Sequence, residues 1–171
     1  HDALPIYEVG AFAKPFELLL SQIKEDYSQF ALLELEESNL KEQLQKQFLL
    51  LRWYVAKKQS AQAILFAREW LISALCIAEE INDYRNTENR KPIEIQLGTT
   101  IGADGDLTQP VVRHVSDAKK LSDFWSKLTE YRNDIAHAQM RKTEIKAKAL
   151  QSYAENDLIQ GLSELLPQYV V

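Results

Sequence analysis

Cysteine is almost missing from these 171 residues: Cys76 stands alone, and only three histidines accompany it. A single thiol closes no disulfide within the chain, and one thiol with so few imidazoles offers none of the spacings of a zinc site. Cys76 lies in an apolar run and reads as a small core residue, in keeping with a reducing, cytoplasmic compartment. Five glycines and five prolines are few, which favours long helices over a strand-rich fold with many tight turns. Those glycines form neither a GxxxxGK[ST] nor a GxGxxG loop, so nucleotide-phosphate cradles of those kinds are excluded. Charge interrupts every apolar run before the roughly 18 residues a bilayer demands, and no signal peptide is visible. No membrane span is therefore expected. The chain opens His1-Asp2-Ala3 rather than with Met, as a processed or cut fragment would.

What is present is a composition of 46% hydrophobic and 26% charged residues, ordinary for one globular domain and too apolar for disorder. The net charge of −5 argues against nucleic acid at first sight. Its distribution points the other way. Between Arg113 and Lys148 nine basic residues face five acidic ones, a net +4 that leaves −9 for the rest. Either this is a solvated lysine-rich helix face, or it is the footprint of a polyanion.

Residues 1–14 read as an irregular N-terminal segment or linker, and residues 15–171 as one helical domain. Pro15 suits the first turn of a helix carrying Phe16, Leu19, Leu20, Ile23, Tyr27 and Phe30. Ser38 or Asn39 caps a second, in which Leu40, Leu44, Phe48, Leu51 and Val55 recur on one face. Ser60 opens the most apolar stretch, whose polar positions Gln62, Glu69, Ser73 and Glu80 form a narrow stripe, so this is the central helix. Residues 84–116, with Pro92, Gly98, Gly102, Gly105 and Pro110, read as an irregular insertion with a short strand at Ile93–Leu97. Ser116 or Asp117 restarts helix through Leu121, Phe124, Trp125 and Leu128. A last helical pattern covers residues 138–166 with a break near Asn156-Asp157. The expected architecture is all-α, a bundle of four to six helices.

Chemistry concentrates in Arg132-Asn133-Asp134-Ile135-Ala136-His137. A guanidinium grips a phosphate and stabilises charge that builds on it, while a histidine moves protons near neutral pH. Those two groups suffice to cleave RNA, because the RNA supplies its own 2′-hydroxyl nucleophile. On one unbroken helix residues five apart are turned about 140° from each other, whereas Asn133 and His137, four apart, share a face. Either the backbone breaks near Asn133-Asp134, with Asp134 capping the next helix, or two copies complete each other's site across a symmetric dimer. The plainer reading pairs Arg132 with Glu130 or Asp134 and leaves His137 as a core or cap residue.

This hexapeptide on an all-α background resembles the R-x(4–6)-H motif of HEPN ribonucleases, including the polar residue after the arginine. The stretch Tyr131 to Lys142, with the helix around Ala67-Arg68-Glu69-Trp70-Leu71, is similar to the HEPN domain of CRISPR-associated accessory ribonucleases of type III systems. The resemblance implies a HEPN-like bundle that acts as a homodimer, cleaving single-stranded RNA without metal or cofactor to leave 2′,3′-cyclic phosphates. Arg132, His137 and Asn133 are its implied catalytic residues. It also implies an N-terminal CARF sensor domain that binds cyclic oligoadenylate, for which this chain shows no parallel α/β pattern. The tyrosine often found two residues after the histidine in HEPN toxins is Gln139 here, which disfavours that branch. A catalytically silent helical module for dimerisation or RNA binding, and a HEPN toxin held by an antidote, are the rival readings.

Arg141, Lys142 and Lys146, with Lys148, are candidate contacts to RNA phosphates. Arg68 falls at a buried phase of the central helix and must be paired. Either Arg68 forms a structural ion pair with a carboxylate on a neighbouring helix, or Arg68 or Glu69 lies behind the Arg-His pair and positions it. Trp53, Trp70 and Trp125 fall at phases that favour core packing over base stacking. Arg113 and His114 are adjacent bases with no acid at ligand spacing.

Overall fold

A computed structural model describes residues 40–137 and 145–171, which belong to one unit, Leu35–Val171. Helix α1 is Leu40–Ala56, α2 Ser60–Ala78 and α3 Thr87–Thr99; α4 is Ala118–Ala136, α5 Ala147–Tyr153 and α6 Ile159–Leu165. Short 3₁₀ turns occupy Pro110–His114 and Pro167–Tyr169, and a π turn occupies Ala154–Leu158. No strand occurs among the described residues, and the all-α expectation holds. The segment 1–14, the helix expected from Pro15, the cap at Ser38 or Asn39, and Arg141 and Lys142 lie outside the described residues.

The central helix is α2, as its sparse polar stripe foretells. Ala63, Ile64, Ala67 and everything from Trp70 to Cys76 are buried. It is long and apolar enough to cross a membrane by length and composition alone, yet here its faces pack on α1, α3 and α4. The α1–α2 hairpin closes around Trp70, whose indole N–H donates to Leu44 O at 2.8 Å and whose ring lies 5.2 Å from Phe48. Trp125 is buried as well, so two of the three tryptophans are core residues. Both hairpin helices end with a left-handed residue, Lys58 (φ 57°) and Glu80 (φ 62°). Gln59 N–H reaches back to Tyr54 O and Ile81 N–H to Cys76 O, each at 2.9 Å. Those are the six-to-one bonds of a Schellman turn, made without the usual glycine.

The insertion expected at residues 84–116 is largely ordered helix. Ile93–Leu97 is no strand but the middle of α3, which Asn86 caps by accepting the Glu88 N–H at 3.0 Å. In a strand Ile93, Ile95 and Leu97 would share a face. In the helix Ile93 and Leu97, four apart, are 1% and 0% exposed while Ile95 is 59% exposed. Four apart on the same helix, Arg90 and Glu94 share a face and both reach ion partners on α2. Only the flanks remain irregular. At Gly105 any Cβ would collide with the Thr100 carbonyl, so the turn after α3 requires glycine there.

Asp117 opens α4 by accepting the Lys120 N–H at 2.9 Å. From there α4 runs antiparallel to the rod formed by α5, the π turn and α6. Tyr131 meets Tyr153 edge-on at 4.7 Å, the Phe124 ring lies on Gly161, and Ser116 N–H donates to Leu165 O at 3.3 Å. The break expected near Asn156-Asp157 is instead the π turn, through which helical dihedrals continue.

Candidate active site

The end of α4 sets the geometry. Helix continues through Asn133 and Asp134 to Ala136, so the break anticipated there is absent. His137 is the C-cap, and its backbone N–H donates to Asn133 O at 3.1 Å. Arg132 lies two turns beyond Trp125 on the face that packs inward, and it is half-buried. His137 is exposed.

Arg132 Nη1 donates to Asn133 Oδ1 at 3.0 Å, which draws the fork toward the face that Asn133 shares with His137. The expected partners Glu130 and Asp134 do not bind it, and among the described residues Arg132 makes no ion pair. A half-buried guanidinium held by a neutral amide keeps N–H groups and its full charge for an anion. Asp134 turns away. It is buried, and its Oδ2 accepts the Ile145 N–H at 3.3 Å just before Lys146, the N-cap of α5.

Folding sorts the basic excess of Arg113 to Lys148. Lys119 pairs with Asp123 at 2.6 Å, Lys120 with Glu164, Lys127 with Asp157 at 3.5 Å, and Arg113 with Glu79 at 2.5 Å. The three lysines line a groove of ≈ 470 Å³ between α4 and α6 that their acidic partners neutralise. Among the described residues of that window, Arg132, Lys146 and Lys148 have no carboxylate partner. The cations left over stand at the end of α4 and the start of α5.

Arg68 and Glu69 are bound into a lattice that joins three helices. Arg68 bridges Glu69 at 2.7 Å and Glu94 at 2.8 Å, Arg90 reaches Glu69 at 2.5 Å, and the Arg68 guanidinium lies 5.3 Å from the Trp125 ring. The lattice meets α4 at the Trp125 ring, two helical turns before Arg132. Arg90 and Glu94 escaped the sequence reading because their segment looked irregular, although their spacing of four was visible. Glu79 escaped it too: it binds His114 Nε2 at 2.9 Å as well as Arg113, across a separation no local pattern reveals.

Other titratable groups are set aside from proton transfer. Burial pushes the Cys76 thiol up to about 11 and holds the Tyr153 phenol well above its ordinary range. Hydrogen bonds from Thr108, and then Gln109, hold the exposed Asp106 below the usual carboxylate value. Among the described residues no group of histidine, cysteine and carboxylate side chains is arranged to hold a metal ion. No family model, curated protein or solved structure matches this chain.

Proposed function

We propose that this chain is a metal-independent endoribonuclease of the HEPN type, cleaving single-stranded RNA. One observation carries the reading: a half-buried guanidinium with no carboxylate partner among the described residues, pinned by Asn133 onto the face that bears an exposed histidine. The Arg132 fork binds the non-bridging oxygens of the scissile phosphate and stabilises the pentacoordinate charge. His137 accounts for a proton: as base it takes the 2′-hydroxyl proton while the 2′-oxygen attacks phosphorus, or as acid it protonates the departing 5′-oxygen. The P–O5′ bond breaks as the P–O2′ bond forms, leaving a 2′,3′-cyclic phosphate and a 5′-hydroxyl. DNA lacks the nucleophile. A flexible single strand reaches the in-line geometry that a duplex resists.

Homodimerisation belongs to the same proposal. Positions 132 and 137 lie about 140° apart around the axis of α4, and a second copy packed about the helix end supplies the complementary group to each. The chain would then serve in the cytoplasm as the effector half of a CRISPR-associated antiviral protein, switched by a CARF sensor that binds cyclic oligoadenylate. Lys146 and Lys148 would guide the strand.

The test is cleavage of labelled single-stranded RNA in EDTA by parent and His137→Ala, with product ends identified. Histidine-dependent cleavage leaving cyclic phosphates is the expected result. RNA binding or dimerisation without turnover, in the presence and absence of cyclic oligoadenylate, would assign the fold to a silent module.

A further inference from the structure

Asp134 stands two residues after Arg132 and three before His137, with 1% of its surface exposed. Its Oδ2 accepts one hydrogen bond, from the Ile145 N–H at 3.3 Å, and its Oδ1 has no partner. A carboxylate removed from water normally keeps several strong donors, and one held by a single long bond costs stability instead of adding to it. An apolar side chain of the same shape would avoid that cost. Local losses of this kind occur where placement matters more than stability. What this bond places is the chain entering α5. It joins the last turn of α4 to the residue before the N-cap Lys146, across eleven positions that include His137.

We infer that Asp134 is the positioning residue of this site: its carboxylate pins Ile145 to the end of α4 and thereby fixes Lys146 relative to the Arg132–Asn133 pair. Asp134 itself touches no substrate. The catalytic half of this inference rests on the ribonuclease reading, whereas the tether does not.

Two shape-conserving variants separate placement from stability. Asp134→Leu removes the acceptor and the buried charge together, while Asp134→Asn removes the charge and keeps an oxygen for Ile145. Thermal melting, amide exchange at Ile145 by NMR, and RNA cleavage are measured for both and for the parent. Asp134→Leu is expected to melt no lower than the parent, to exchange Ile145 about tenfold faster, and to lose about tenfold in kcat. Asp134→Asn is expected to stay within about threefold of the parent in both exchange and kcat. Parental exchange and cleavage in Asp134→Leu would overturn the inference, as would an Asp134→Asn variant that falls equally far. A parent that cleaves no RNA would reject the ribonuclease reading, and the Ile145 exchange rates would then decide the tether alone.

Discussion

Arg132 is bonded to an amide where an acid was the plain expectation, and that difference yields a prediction about Asn133. Asn133→Ala releases the fork without changing charge, and kcat/KM for RNA cleavage is expected to fall about tenfold. Asn133→Asp places a carboxylate where the phosphate's competitor would sit, and the fall is expected to reach about a hundredfold. Equal activity in all three proteins would remove Asn133 from the site. Cys76 offers a prediction independent of function. Because burial raises its pKa, the folded state binds this proton more tightly than the unfolded chain does. The fold therefore loses nothing on this account below the thiol's ordinary 9.0 and is destabilised progressively as pH rises from there to about 11. Iodoacetamide at pH 8 is expected to leave Cys76 unmodified in the native protein and to alkylate it in urea; rapid native labelling would show the burial to be wrong. Single residues were legible in sequence where the cause is local. The Asp117 cap and the need of Arg68 for a partner could both be read from a few neighbours, but the choice of Asn133 over Glu130 or Asp134 could not, since all three are near Arg132 along the helix.

Helix endings show how elements carry cost. Lys58 and Glu80 hold left-handed backbone in which a Cβ crowds the following carbonyl by roughly 1 kcal/mol or more. Lys58→Gly and Glu80→Gly are each expected to raise unfolding free energy by about 0.5–1 kcal/mol in urea titrations, with no change in slope. At Gly161 the sign reverses: a Cβ would stand 2.5 Å from the Phe124 ring, so Gly161→Ala should lower stability by about 1–3 kcal/mol through overpacking of α6 against α4. Elements with ten or more residues of steady period, such as α2 and α4, were legible in sequence. The 13-residue α3, whose apolar positions are few, was not. Five residues of Ile93-Glu94-Ile95-Gln96-Leu97 satisfy a period of two as well as 3.6, and Pro92 and Gly98 punctuate the run like a loop. The ion pairs of Arg90 and Glu94 to α2 tip the balance, and they exist only in the folded bundle.

For the whole molecule the decisive quantity is which charges remain after folding, since sequence gives only their sum. A chain at −5 binds RNA only if its cations are unpaired and close together. Lys119, Lys120 and Lys127 are each answered by a carboxylate, while Lys146 and Lys148 are not, among the described residues. Neutralising a paired lysine exposes an acid but removes no counterion-releasing contact, whereas neutralising an unpaired one at the site removes one such contact. The plot of log affinity against log salt for single-stranded RNA should therefore become shallower by about 0.7 for each of Lys146→Ala and Lys148→Ala. Lys119→Ala should leave that slope at the parental value, though affinity itself falls slightly as Asp123 loses its partner. Fluorescence anisotropy between about 50 and 200 mM salt resolves a difference of this size. If the paired lysines change the slope and the unpaired ones do not, the strand lies along the groove between α4 and α6, and the end of α4 is not where RNA is held.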